Sequence, residues 1–162
     1  MNMTVVTGGI VVVMATDDRS EIHIRSRWGE IDSNGHMRNV AYLDISANSR
    51  MEFFNANGYT LTEFFGAGLG PVVLKDEIEY KREVRLAEDL TVTNELAGIS
   101  EDNTRFIFRN QFIKANGKLA CKISSLVAFF DLATRKMIAP PENLMRAILS
   151  LPRSEDFSTI TQ

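Results

Sequence analysis

Eleven residues concentrate most of the reactive chemistry of this 162-residue chain: DSNGHMRNVAY, residues 32–42. They hold a carboxylate (Asp32), two amides (Asn34 and Asn39), one of the chain's 2 histidines (His36) and a phenol (Tyr42). A carboxylate four residues from an imidazole suits general acid–base or nucleophilic work, with Asp32 as base or nucleophile and His36 to position or polarise. Asp, Ser, Asn and Gly are also ordinary turn formers and Asn39 suits a helix N-cap, so a purely structural turn explains the same composition. No second His or Cys stands at ligand spacing from His36, which argues against a metal site.

The flanking segments decide where this loop sits. Residues 21–28 alternate partly in polarity and read as a strand that carries His23 in a structural role. Residues 40–57 change to helical spacing, with Val40, Leu43, Ala47, Met51 and Phe54 three or four apart and Gly58 as the stop. Tyr42, Ile45 and Phe53 widen that apolar surface, so the helix is expected to be embraced by its surroundings. The loop therefore enters a helix N-terminus, where unpaired N–H groups and a partial positive charge can stabilise an anion or a developing oxyanion.

Four long strands are expected next, over residues 72–84, 90–98, 104–114 and 118–131. The Asn116-Gly117 pair between two such runs is a hairpin signal. Leu144, Ala147, Ile148 and Leu151 follow Pro140-Pro141 and read as a short terminal helix. Strand, long helix, four consecutive strands and short helix give an α+β fold of two layers, an antiparallel β-sheet covered on one face by the helix. The GAGLG run at residues 66–70 resembles a dinucleotide loop only superficially, because phosphate cradles run strand, loop, helix and this one follows a helix and precedes a strand.

Composition narrows the remaining choices. A chain of this length, 44% apolar and 24% charged, suits one domain, here residues 21–151 with an N-terminal extension (1–20) and a C-terminal tail (152–162). A net charge of -3, with both signs scattered, argues against a nucleic-acid partner. Cys121, the single cysteine, rules out an intrachain disulfide and reads as a small buried residue. The apolar N-terminus has no basic start and is too short for a membrane span, so an added hairpin around Gly8-Gly9 and a cytoplasmic location are expected.

Asp32-Ser33-Asn34-Gly35-His36-Met37-Arg38-Asn39 followed by Tyr42-Leu43 resembles the D-x-N-x-H-x-x-N-x-x-Y signature of hotdog-fold thioesterases, the broad group of 4-hydroxybenzoyl-CoA thioesterase, bacterial acyl-CoA thioesterases and plant acyl-ACP thioesterases. Glu79-Tyr80-Lys81-Arg82-Glu83-Val84 with Glu88-Asp89-Leu90-Thr91-Val92 is similar to the family's second strand and following turn. Residues 127–131 resemble its last strand and residues 136–142 its closing segment, so the likeness spans roughly residues 21–150.

The resemblance implies a hotdog fold and a homodimer or dimer of dimers with active sites at subunit interfaces. It implies hydrolysis of an acyl-CoA or acyl-ACP thioester, with Asp32 as general base or nucleophile, Asn34 and His36 assisting, and amides near Asn39, Val40, Ala41 and Tyr42 polarising the carbonyl. No cofactor or metal is needed, because thiolate is a good leaving group. Phe53, Phe54, Phe64 and Phe65 are candidates to line an acyl tunnel, and Lys81, Arg82 and Arg85 to meet phosphates. Two departures stand out: the helix slot that holds a catalytic glutamate in some relatives is Ala47, which excludes that variant, and Asn39 stands where others carry a histidine. A hydratase or dehydratase of the same fold and a non-hydrolytic acyl-thioester-binding protein are the competing readings.

Overall fold

The computed structural model describes residues 20–161 and the backbone of two N-terminal strands, β1 (Val5–Thr7) and β2 (Ile10–Val12). These pair antiparallel with Val5 opposite Val12, as the apolar runs suggest, while the Gly8-Gly9 turn lies outside the described residues. Then come β3 (Glu21–Arg25), a 3₁₀ turn (Trp28–Glu30), α1 (Asn39–Ala56), α2 (Leu61–Gly66), β4 (Leu69–Tyr80), β5 (Asp89–Ser100), β6 (Arg105–Lys114), β7 (Leu119–Asp131), β8 (Lys136–Ile138), α3 (Glu142–Leu149) and β9 (Arg153–Ile160).

Seven strands form one sheet in the order β3-β5-β6-β7-β4, with β8 added to β7 and β9 to β5. All pairings are antiparallel except β5 with β9. The segment expected to trail as a C-terminal tail is therefore corrected: β9 joins the sheet beside β5, next to the stretch that β3 leaves open. Gly98 permits that close approach, since a Cβ there would stand 3.1 Å from the Ser158 carbonyl. The Asn116-Gly117 hairpin forms as expected, with Gly117 at φ 78°. GAGLG is a connector: Gly66 ends α2, and Gly70 leaves room for Leu132, whose Cδ2 a Cβ would meet at 2.5 Å.

Helix α1 lies on the sheet, but by a different face from the one its apolar spacing suggests. The buried positions are Ala41, Tyr42, Ser46, Ser49, Phe53 and Phe54, whereas Val40 is 44% exposed and Ala47 is exposed. The reason is polar matching. Ser46 donates to Asn110 Oδ1 on β6, Ser49 Oγ accepts from Asn94 on β5 (2.8 Å), and Asn110 donates to Asn94 Oδ1 (2.7 Å). Each buried polar group thus finds its partner, which removes the penalty of desolvation.

This belt divides the core. Toward the C-terminal end of α1, Phe53, Phe54, Phe64, Phe106, Phe108 and Phe129 pack with α3 side chains including Leu144 and Ile148. Toward the N-terminal end, Met37, Ala41, Tyr42, Val92, Phe112 and Ile123 form a second cluster. The second cluster supports the loop of residues 32–39.

Candidate functional site

Residues 31–37 form a tight loop closed by a bridge between Ile31 and Met37. Asp32 organises it: its Oδ1 accepts the N–H groups of Asn34 (2.8 Å) and His36 (3.1 Å), and its own N–H donates to the His36 carbonyl (2.8 Å). Gly35, at φ 79°, takes the left-handed conformation that completes the turn. At the far end the Met37 N–H donates to the Val84 carbonyl (2.7 Å) and the Arg38 N–H to the Glu30 carbonyl (2.8 Å), tying the loop to the chain on both sides. With Oδ1 occupied by two amides, Oδ2 has no hydrogen-bond donor among the described residues.

His36 Nε2 lies 2.7 Å from Glu83 Oε2. Arg85 donates to Glu83 Oε1 from Nε (2.9 Å) and Nη2 (2.7 Å), and this guanidinium holds the Glu83 carboxyl below its usual range. The carboxylate thus stays ionised and fixes the imidazole ring, which presents Nδ1 as its second functional nitrogen. Glu83 was missed as a site residue from sequence; its signal was its place in the Glu79-Tyr80-Lys81-Arg82-Glu83-Val84 segment, which the chain folds back onto the loop.

A recess of about 400 Å³ opens here, with Asp32, His36, Asn39 and Tyr42 on one side. Tyr80, Lys81, Arg82 and Glu83 form the other. Tyr42 stacks edge-on with Tyr80 (5.6 Å) and Phe112 (5.1 Å), and burial raises its phenol pKa, so it remains protonated. A larger cleft of about 1220 Å³ lies on the opposite flank of α1, against β3, and of the expected site residues only Ala41 borders it. The smaller recess is the one that holds the carboxylate, the imidazole and the start of the helix together.

The helix start differs in detail from expectation. Arg38, not Asn39, occupies the N-cap and makes no side-chain cap, so Asn39 is the first helical residue. The Ala41 N–H is taken by the Arg38 carbonyl (3.0 Å), and Ala41 faces away from the recess. The Asn39 and Val40 N–H groups have no acceptor among the described residues. These two amides are the ones available to a carbonyl oxygen.

Other expected positions fall elsewhere. The Asn34 side chain is exposed outside the recess and only its N–H meets Asp32. Phe53, Phe54 and Phe64 are buried in the core, with Phe54 5.9 Å from Phe108, and Phe65 is 72% exposed; none lines the recess. Their helical spacing served packing. Lys81 and Arg82 do border the recess, although Lys81 pairs with Glu79 (2.6 Å) and Arg82 holds the Leu119 carbonyl (2.9 Å). Arg85 is engaged with Glu83. His23 hydrogen-bonds Thr91 Oγ1 (3.0 Å) in the structural role expected of it. Cys121 is fully buried and its thiol is pushed up to about 12 by burial, so iodoacetamide at pH 8 is expected to label the unfolded protein and leave the native protein unmodified, as mass spectrometry can read.

A curled antiparallel sheet in this strand order with a long helix on its inner face is the hotdog fold. Residues 26–148 match the model of the thioesterase-like superfamily, and the chain belongs to that superfamily. A Staphylococcus aureus protein solved in complex with CoA is similar over 88% of both chains, at 23% identity and TM-score 0.75. A 1,4-dihydroxy-2-naphthoyl-CoA thioesterase from Synechocystis is 14% identical, with TM-score 0.73 over 81% of this chain and 96% of that one. A DHNA-CoA thioesterase from Staphylococcus aureus is 19% identical, with TM-score 0.67 over 74% of this chain and 79% of that one. These likenesses are of fold. A search of the curated proteins finds no match. Among the described residues no helix is long and apolar enough to cross a membrane, and no cluster of His, Cys, Asp and Glu could hold a metal ion.

Proposed function

We propose that the chain hydrolyses an acyl thioester of CoA or of acyl-carrier protein. The observation that carries this reading is the meeting of Asp32, the Glu83-held His36 and Asn39, the first residue of α1 with its N–H unpaired, in one recess, with the unpaired Val40 N–H next along the helix. Asp32 Oδ2 either takes a proton from water as it attacks the thioester carbonyl or attacks that carbonyl itself. Charge developing on the carbonyl oxygen is met by the Asn39 and Val40 N–H groups and by the positive end of α1. The C–S bond then breaks and the thiolate leaves; on the nucleophilic route water then hydrolyses the acyl-aspartyl anhydride, so both routes end in free acid and thiol with no cofactor required. Thiol release from a panel of acyl-CoAs, read for wild type and Asp32 variants, tests the proposal.

A second assignment draws on one specific contact. The Glu83–His36 pair has the form of an oriented general base, a carboxylate fixing an imidazole. Glu83→Gln is expected to lower kcat/KM about 10-fold or more by weakening that hold. Because Arg85 depresses the Glu83 pKa, the carboxylate's hold on His36 persists through the ordinary glutamate range and is lost only as pH falls through the depressed value. An unchanged pH–rate profile in Glu83→Gln would remove His36 from the mechanism.

Strand β4 is an edge of the sheet, and Val72, Val73 and Leu74 on it are exposed. A long apolar edge needs cover, and we assign it to a second copy of this chain, in a homodimer or a dimer of dimers. Val72→Lys with Val73→Lys is expected to yield monomers in sedimentation velocity at micromolar concentration. A wild-type monomer under the same conditions would overturn this assembly.

A further inference from the structure

The buried belt beneath α1 contains a cation that the proposed chemistry does not use. Arg50 Nη1 donates to Ser46 Oγ (2.9 Å), Asn110 Oδ1 (3.0 Å) and Ser125 Oγ (3.4 Å), and Ser125 donates to Asp76 Oδ1 (2.6 Å). Arg50 forms no ion pair with any described residue, so Asp76 meets it only through Ser125. Burial lowers the Arg50 pKa and Asp76 offsets only part of that effect. A desolvated cation without a direct counter-ion is unfavourable unless something else meets it. Nε and Nη2 have no protein acceptor among the described residues and are not among the fully buried unpaired atoms, so they keep some access to the surface.

Helix geometry fixes which side of α1 that is. Along α1, Tyr42, Ser46, Ser49 and Phe53 face the sheet, and Ala41, Ile45, Asn48 and Glu52 face the cleft against β3. Leu43, Ala47 and Arg50, spaced four and three apart, share the remaining flank, which looks toward β4. On β4, Asp76, Ile78 and Tyr80 are opposite Ser125, Ile123 and Cys121, all buried, and so present the same inner face. Tyr80 borders the recess and Asp76 reaches the Arg50 network. The flank of α1 and the inner face of β4 therefore set Leu43, Ala47 and Ile78 in line between the recess and Arg50, with Leu43 and Ile78 partly buried against the core cluster. The Arg50 guanidinium sits at the level of Ser46, seven residues beyond Asn39, or about 10 Å along the helix.

We propose that Arg50 is a specificity-determining residue that selects acyl groups carrying a hydrogen-bond acceptor, a hydroxyl or carboxylate oxygen, about 10 Å from the thioester carbonyl. The inference rests on the thioesterase reading above. Leu43, Ala47 and Ile78 accommodate the apolar body of the acyl group, and Nε and Nη2 meet its distal oxygen. A plain alkyl chain of the same length leaves those donors unpaired, which is the stronger kind of discrimination.

Matched pairs of substrates differing by one oxygen test this: ω-hydroxyoctanoyl-CoA against octanoyl-CoA, and hydroxylated against unsubstituted naphthoyl-CoA. Wild type is expected to favour the hydroxylated member by ~10–100-fold in kcat/KM. Arg50→Met should bring the ratio near one by lowering only the hydroxylated member, and Arg50→Lys should retain part of the preference. The wild-type ratio and the Lys variant decide the matter if Arg50→Met does not fold. The same ratio is to be read as equilibrium affinity by calorimetry on Asp32→Asn. Absence of turnover with every thioester would thus overturn the hydrolase reading while leaving the selectivity of binding measurable. A wild-type ratio near one in both assays, or an equal loss of both members in Arg50→Met, overturns the role of Arg50.

Discussion

Asp32→Ala is expected to lower kcat/KM for thioester hydrolysis by ~10²–10⁴, the range typical of losing a positioned acid–base group. The alanine variant also removes the acceptor for the Asn34 and His36 N–H groups, so part of its loss reflects a loosened loop. Asp32→Asn separates the two effects. Its side-chain oxygen keeps both amides in place, while the remaining position carries an NH₂ that neither accepts a proton nor attacks a carbonyl. A loss in Asn as large as in Ala, with CoA affinity unchanged, assigns the deficit to chemistry. A near-wild-type rate for Asp32→Asn would transfer the base to His36 and leave Asp32 as the residue that shapes the turn.

Asn110→Ala is expected to be the most destabilising polar substitution in the chain, by about 3–5 kcal/mol in urea denaturation. Asn110 is fully buried and joins four partners: it accepts from Ser46 and Arg50 (3.0 Å) and donates to Asn94 Oδ1 (2.7 Å) and the Thr93 carbonyl (2.9 Å). Alanine takes away the acceptor of the Ser46 hydroxyl, the donor to Asn94 Oδ1 and one of the three acceptors of Arg50 Nη1, a cation whose pKa burial already lowers. Against a typical domain stability of about 5–15 kcal/mol this is a large fraction, and Tm should fall by roughly 10 °C. A loss below about 1 kcal/mol would mean that water satisfies the belt as well as Asn110 does.

The four long strands, the Asn116-Gly117 hairpin, both main helices and the loop before α1 were legible because period, turn chemistry and proline position all act locally. The face of α1 was not. Its apolar spacing pointed to Val40 and Ala47, yet Ser46 and Ser49 face the sheet because Asn94 and Asn110, far away in sequence, answer them. Phe53, Phe54 and Phe64 were ambiguous for the same reason, since lining and packing use the same residue types. Asp32 and His36 stood out by composition. Glu83 did not, because only the fold places a glutamate 47 positions later against His36 Nε2. β9 was hidden by its polar sequence, RSEDFSTI, and by the distance along the chain to β5, its parallel partner.

The polar belt also bears on how this chain can change. Phe106, Phe108 and Phe129 belong to one cluster and Phe112, Ile123 and Tyr42 to the other, and the belt stands between them. Substitutions on opposite sides share no partners, so their effects on stability should add rather than interfere. The half that touches the recess can accumulate changes in shape while the other half, anchored by α3, keeps the chain folded. The molecule in this sense has two separately mutable compartments, and new substrate preferences can arise in one without drawing on the other.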